Sequence, residues 1–380
     1  MEIKNYLEEL RAQGNYREIP TVSPLVITDY SANDYMGLAA QPDLQARFFA
    51  DPISATVPMA SSAARLLAPR QIEYTDLEVF LGLLYRKVRG ADTSALIFNS
   101  GYHANTGLIS AIAGKDTLIL ADRLVHASII DGMVLSRAPF VRFRHNDFEH
   151  LEELLRTKGG NHRNVLVIVE SVYSMDGDKA DIERLIELKR SYPNVMLYVD
   201  EAHAFGVIGP RGLGAAAASS SPADIDVIVG TFGKAAASIG AFAVTGRDLH
   251  DYLVNTSRSF IFSTALPPMS VAWTRFTLGN LIMKDNRREH VARLGVQLKS
   301  VLEKYTDYPI EASHIQPLVV GDPHKAVELS RQLLSRYGIK ALPIRKPTVP
   351  AGTERLRFSL SANMMPRDLE ALDSALYDLM

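Results

Sequence analysis

From about Thr93 to Gly246 the chain alternates short apolar runs with longer stretches of mixed polarity. The runs are ALIFN (95–99), TLILAD (117–122), FVRFRH (140–145), VLVIVES (165–171), VMLYVDE (195–201), DVIVGTF (226–232) and GAFAVTG (240–246). Several are almost continuously apolar, the pattern of strands covered on both faces of a mainly parallel sheet. Helical patterns such as DIERLIELKRSY, after the turn signal SMDGDKA, lie between most of them. This rhythm predicts an α/β doubly wound layer around a seven-stranded sheet. The last two runs stand too close for a helical crossover, so one of them is expected to be antiparallel.

After STALPPMS the pattern changes. One continuous helix is expected from Val271 to about Tyr305, then IQPLVVGD, the helical HKAVELSRQLLSRYG, IKALPI and RLRFSLSA. That order predicts a smaller α+β domain. The expected division is an N-terminal arm, 1–46, a large domain, 47–278, and a small domain, 279–380. DYSANDYMGLA reads as a turn-rich element of the arm, and GAAAASSSP (214–222) as a helix end and loop. No repeat of 20–50 residues is visible.

Composition narrows the function. The chain has 380 residues, 47% hydrophobic and 22% charged, the profile of a globular protein with real cores. Its net charge of −2 gives no footprint for nucleic acid or an anionic membrane. There is no cysteine, which excludes disulfides, thiolate chemistry and Cys-based zinc sites. The N-terminus lacks a signal-peptide core, and no apolar run approaches membrane-spanning length. A cytoplasmic enzyme is expected.

GTFGKAA (230–236) and, upstream, VDEAH (199–203) invite a nucleotide-triphosphatase reading. It fails. A Walker loop needs a glycine where Ile228 stands and a hydroxyl where Ala235 stands, and the acidic motif comes first. No GxGxxG dinucleotide fingerprint occurs. Asp200 and His203 have no further clustered ligands, so no metal is expected.

A lysine at the end of an apolar strand, flanked by Gly and Ala, instead suits covalent chemistry. Burial favours the free amine, and the small neighbours leave room for a flat ring. Asp200 closes the strand VMLYVD, at an edge where open α/β sheets bind ligands, and could pair with a protonated pyridine nitrogen. Taken alone, it could equally cap a helix. His126 follows another strand and could stack on a ring; alone, it would fit a hydrogen-bonded core position. NSGYHANTG (99–107) runs into a helix start suited to phosphate, and Thr231 adds a hydroxyl. Together these residues describe a pyridoxal phosphate site.

At this point the chain resembles the α-oxoamine synthase family of fold-type I pyridoxal-phosphate enzymes. The likeness runs in order through YSANDYMGLA, FNSGYHAN, ADRLVHASIIDG, HND, ESVYSMDGD, VDEAHAFGVIGPRG, TFGKA and FSTALPP. It implies that Lys234 is the aldimine lysine and Asp200 the partner of the ring nitrogen. It places His203 and Ser174 near the ring hydroxyl and makes His126 the stacking histidine. Gly101, Tyr102 and Thr231 match phosphate-side positions, and Thr264 a residue offered to the neighbouring subunit's phosphate. Arg357 matches the arginine that grips a substrate carboxylate; Arg345, Thr348 and Arg17 match further substrate positions. His126 and His203 would also serve as acids for a developing oxyanion. The C-terminal tracts IQPLVVGD and PIRKPTVPAGTERLRFSLSA most resemble the biotin-synthesis branch. That branch condenses L-alanine with a pimeloyl thioester of CoA or acyl carrier protein, and a homodimer with shared sites is implied. Other branches take glycine or serine with other acyl-CoAs, and the same fold also serves aminotransferases. The chain departs from the family's usual pattern at Pro69 and Arg70, where Gly-Asn is usual, and at Tyr74 for histidine; Ala237 stands at a position often glycine, where some members have alanine. The tract LLAPRQIEYTDLE puts the identity of the acyl donor in question.

Overall fold

The computed structural model of the protein describes residues 2–19 and 28–380; residues 1 and 20–27 of the expected arm lie outside them. The chain divides into two compact units. One comprises Met1–Tyr35, Ser174–Asp178 and Asn286–Met380; the other comprises Met36–Tyr173 and Lys179–Asp285. Borders thus fall at 35/36 and 285/286, against the expected 46/47 and 278/279, and the short run 174–178 belongs to the unit of the chain termini.

The second unit is built on a seven-stranded sheet. Its strands are β1 (Ser94–Phe98), β2 (Thr117–Asp122), β3 (Phe140–Phe143), β4 (Asn164–Glu170), β5 (Val195–Asp200), β6 (Val227–Thr231) and β7 (Ala241–Thr245). Their spatial order is β1-β7-β6-β5-β4-β2-β3, and only β7 runs antiparallel to its neighbours. Every expected strand is present, and the antiparallel one is the last.

The unbroken apolar runs have a simple cause. Leu96, Ile119, Leu166, Tyr198, Val227 and Ala243 pack with Leu108 and Ile129, from helices Gly101–Ile112 and Ala127–Ser136, in one core. The alternate residues Ile97, Leu120, Val167, Val199 and Phe242 are just as buried. With both faces covered, polar positions have no place in the strands. Gly230 shows how tight this is: a Cβ there would lie 2.4 Å from the Phe242 ring.

Helix Pro268–Leu281 ends where a single longer helix was expected, and Asp285–Leu302 is a separate one. In the break, Asn280 turns its side-chain amide back to the Phe276 carbonyl, and Met283 N–H bonds the Asn280 carbonyl. A local side-chain bond of this kind competes with the helical ladder.

The first unit holds a three-stranded antiparallel sheet of β8 (Ile315–Val319), β9 (Leu342–Ile344) and β10 (Arg355–Ser359), in the order β9-β10-β8. Helices Pro323–Tyr337 and Pro366–Leu379 belong to the same unit. Thr28–Asp29 pairs in parallel with Ile339–Lys340, tying the N-terminal segment to this unit. No helix among the described residues is long and apolar enough to cross a membrane.

Candidate active site

Because β1, β2, β4, β5 and β6 run in one direction, their carboxyl ends share one edge. Ligands in open α/β sheets collect along such an edge. There, Gly101, Tyr102, His126, Asp200, His203, Thr231 and Lys234 line one cavity of about 190 Å3. Asn105, Ser128 and Glu170 line it too, and sequence reasoning did not single them out.

Asp200 is buried and held by two donors. One oxygen accepts the Ala202 amide at 2.8 Å, the other the Asn105 side-chain amide at 2.8 Å. Asn105 is itself fully engaged: its second N–H goes to Ser128 Oγ (2.9 Å), and its carbonyl accepts the Tyr198 hydroxyl (2.6 Å). Ser128 Oγ lies 2.8 Å from His126 Nδ1, and the Ser128 amide donates to that nitrogen at 3.2 Å. An Nδ1 that accepts an amide N–H leaves the neutral ring's proton on Nε2. Burial, with the Lys234 charge, holds His126 below its ordinary value against the pull of Asp200 and Asp131. A continuous network therefore holds the Asp200 carboxyl group and the His126 ring in place.

Lys234 Nζ lies 2.8 Å from His203 Nε2. The lysine follows β6 in a turn of small residues, and Ala235 packs on Gly206, where a Cβ would approach Ala235 Cβ to 2.5 Å. Gly206 has φ of +88°, so both backbone freedom and close approach require glycine there.

Glu170 and Asp200 are direct partners across the parallel β4–β5 pair and end their strands together. Burial, reinforced by the Asp200 charge, pushes Glu170 up to about 8. Its carboxyl oxygen accepts the His126 amide. At neutral pH Glu170 is thus largely protonated. The signal for Glu170 was present, an acid closing an apolar strand as Asp200 does. Asn105 is one helical turn beyond Gly101, a spacing that becomes meaningful only once the helix is placed.

Ser100 Oγ caps helix Gly101–Ile112 by accepting His103 N–H at 3.2 Å. The helix start carries amides without intrahelical partners. Thr231 Oγ1 donates to the Gly240 carbonyl and accepts Gly233 N–H. Thr264 does not line this cavity. It forms an antiparallel bridge with Ala64, and its carbonyl accepts the Asn99 amide at 2.6 Å.

The tract around Tyr74 packs on that same segment. Tyr74 is buried, its hydroxyl donates to the Leu266 carbonyl, and the Arg65 guanidinium lies 4.5 Å over its ring. Ala265 N–H bonds the Ala63 carbonyl, and Ser61 Oγ donates to the Ala265 carbonyl. Arg70 pairs with the buried carboxylate of Glu73.

The remaining expected residues stand in the first unit. Arg357 is buried; its Nε donates to the Ser174 carbonyl (2.5 Å), Nη1 to Ser359 Oγ (2.8 Å) and Nη2 to Asn33 Oδ1 (3.1 Å). Arg17 Nη2 donates to Thr348 Oγ1 at 3.1 Å, and Arg345 to the Gly14 carbonyl. Burial and the nearby Arg17 charge lower Arg345 from its ordinary value. The structure gathers Arg17, Arg345 and Thr348 into one cluster.

A model of the aminotransferase class I and II family matches residues 56–376. The chain belongs to that family. Within the class I and II family, a Glaesserella parasuis protein named "Putative 8-amino-7-oxononanoate synthase" is 44% identical over 381 residues, 98% of each chain. A solved structure of SPT (serine palmitoyltransferase) with PLP as its internal aldimine is 28% identical, with a TM-score of 0.88, over 99% of this chain and 96% of that one. The structure of 8-amino-7-oxononanoate synthase from Francisella tularensis gives a TM-score of 0.75 at 25% identity, over 93% and 98%. The expected fold-type I architecture is the one observed. The donor set fits pyridoxal phosphate: an amine among small residues, one fixed carboxylate, a neutralised second acid, and a hydroxyl beside a helix start.

Proposed function

We propose that this chain is an 8-amino-7-oxononanoate synthase. It condenses L-alanine with a pimeloyl thioester, carried on CoA or acyl carrier protein, to give 8-amino-7-oxononanoate, CO2 and free thiol for biotin synthesis in the cytoplasm. The cofactor is pyridoxal 5'-phosphate, and the enzyme is an acyltransferase of the α-oxoamine synthase type. What carries this reading is the presence of Lys234 and Asp200 in one cavity of a chain 44% identical, over 98% of its length, to a relative of that name.

When bound, the cofactor supplies an electron sink for the pair left at the α-carbon. Lys234 would supply the amine that holds it, and its Nζ would take the α-proton and return it at the end. His203 fixes that amine by its 2.8 Å contact. Asp200, held by Asn105 and the Ala202 amide, keeps a proton on the ring nitrogen. His126 would stack on the cofactor ring and offer Nε2–H to a developing oxyanion, with His203 as a second donor. Gly101, Tyr102 and Thr231 take the phosphate, and Ser174 lies toward the ring hydroxyl. Arg357 grips the amino-acid carboxylate with its planar fork. Arg17 and Arg345, two like charges with Thr348 between them, take the distal carboxylate of the acyl chain.

The enzyme acts as a homodimer, with Thr264 reaching the partner's phosphate. In support, Met59, Leu66, Leu67 and Ile72, in the tract that runs beside Thr264, are at least half exposed.

A second reading, a synthase taking serine or glycine with another acyl-CoA, is favoured by the likeness to serine palmitoyltransferase. One assay separates them. PLP-loaded protein mixed with L-alanine and pimeloyl thioester should release thiol, while glycine or serine should not substitute. Thiol release with serine but not alanine would transfer the assignment to the second reading, and no release with any pair would sink both.

A further inference from the structure

The turn that carries Lys234 is held by a helix distant in sequence. Ala237 has φ of +50°, in the left-handed region that an L-residue enters against its own Cβ. Two local bonds shape the turn: Ala237 N–H to the Lys234 carbonyl and Ser238 N–H to the Phe232 carbonyl, both 2.9 Å. Two more come from helix Pro268–Leu281. Trp273 Nε1–H donates to the Ala237 carbonyl at 3.0 Å, and the hydroxyls of Thr274 and Ser238 meet at 2.7 Å. Trp273 is itself fixed by aromatic neighbours, edge-on to Phe48 at 5.2 Å and stacked with Phe276 at 5.8 Å. It is the chain's only tryptophan.

We propose that Trp273 is a positioning residue for Lys234. Its indole N–H pins the Ala237 carbonyl and so holds an alanine in a turn that glycine would adopt unaided. Indole is a rigid, donor-only group, so its bond fixes both the position and the orientation of that carbonyl. Without the bond, Ala237 relaxes toward a right-handed backbone, the turn tilts, and the Lys234 amine leaves its place beside His203. Small displacements of a reacting group cost rate steeply. The alanine at 237 and the tryptophan at 273 are therefore one device. This inference rests on Lys234 being the residue that bonds pyridoxal phosphate.

The test uses the holoenzyme and two variants. Trp273→Phe keeps an aromatic ring against Phe48 and removes only the donor. It is expected to weaken PLP binding about tenfold, the scale of one buried hydrogen bond, and to shift the pH midpoint of the visible absorbance. Adding Ala237→Gly should restore both, because glycine takes a positive φ without strain. A merely structural tryptophan would lower the melting temperature without moving the absorbance midpoint, and a glycine at 237 would not repair it. Wild-type PLP affinity and midpoint in Trp273→Phe overturn the proposal, as does failure of the second substitution to restore them. Should Trp273→Phe alone not fold, a double variant that folds and binds PLP normally supports the proposal, and one that does not overturns it. The underlying assignment fails separately, if Lys234→Ala is still trapped with PLP by borohydride.

Discussion

The amine of Lys234 and Nε2 of His203 stand 2.8 Å apart at the mouth of β6 and β5, so lysine and histidine form one unit. Their roles can be separated. Lys234→Ala should fold, lose synthase activity by 10³-fold or more, on the order of a lost general base together with the bonding amine, and resist borohydride labelling. His203→Ala should lose about 10²-fold in kcat yet still trap PLP with borohydride. Circular dichroism with labelling checks both; loss of labelling in His203→Ala would mean that the histidine is needed to form the bond.

Glu170 predicts a pH effect. Its folded value is raised from 4.5 to about 8, by burial first and by Asp200 second. Between those values the folded protein keeps a proton that the unfolded chain has released. Stability is therefore highest below the window and falls as pH rises through it. Glu170→Gln should flatten the decline of melting temperature across that range and gain most at its alkaline end. Parallel melting curves for wild type and variant would refute this.

Tyr74 is buried, and its hydroxyl serves the backbone. Tyr74→Phe should leave the buried Leu266 carbonyl without its donor and cost about 1–2 kcal/mol in stability. Denaturant unfolding reads this directly. A change below about 0.5 kcal/mol, the level of an ordinary surface substitution, would mean that the contact is incidental.

Arg357 is oriented through Ser174, Ser359 and Asn33. Arg357→Lys keeps the charge and loses the fork, so KM for alanine should rise about tenfold or more while kcat changes less. Asn33→Ala should raise the same KM by a smaller factor, since it loosens the guanidinium without removing it. Steady-state kinetics at fixed acyl donor decide; an unchanged KM in Arg357→Lys would place the carboxylate elsewhere.

The fold was legible where the constraint was local. Strands buried on both faces must be largely apolar, and the central ones carry that in the sequence, whereas the edge strand β3 (Phe140–Phe143) is mostly exposed. Lys234, Asp200 and His126 were legible because each follows such a strand. Glu170 has the same signature, but its meaning depends on lying opposite Asp200, a register that no local pattern encodes. Asn105, which joins Tyr198, Asp200 and Ser128, reads from sequence as an ordinary helix residue. The pairing of Thr28–Asp29 with Ile339–Lys340, and the inclusion of 174–178 in the unit of the chain termini, join segments hundreds of residues apart or cut short by others. The helix break at 282–284 was missed because a side-chain amide, not a proline or glycine, ends the first helix.

The antiparallel β7 lies between β1 and β6, and β1 has no other strand beside it among the described residues. Ser94 meets Thr245, so β1 leaves the ribosome roughly 150 residues before its neighbour exists. At about 5–20 residues per second of synthesis, that is a wait of many seconds with β1 unpaired on both edges. Over that interval β2, β4 and β5 can already form a parallel sheet without it. The first strand made is thus among the last to be paired, and a nascent chain stalled short of residue 241 would present β1 and β6 as two unmated edges.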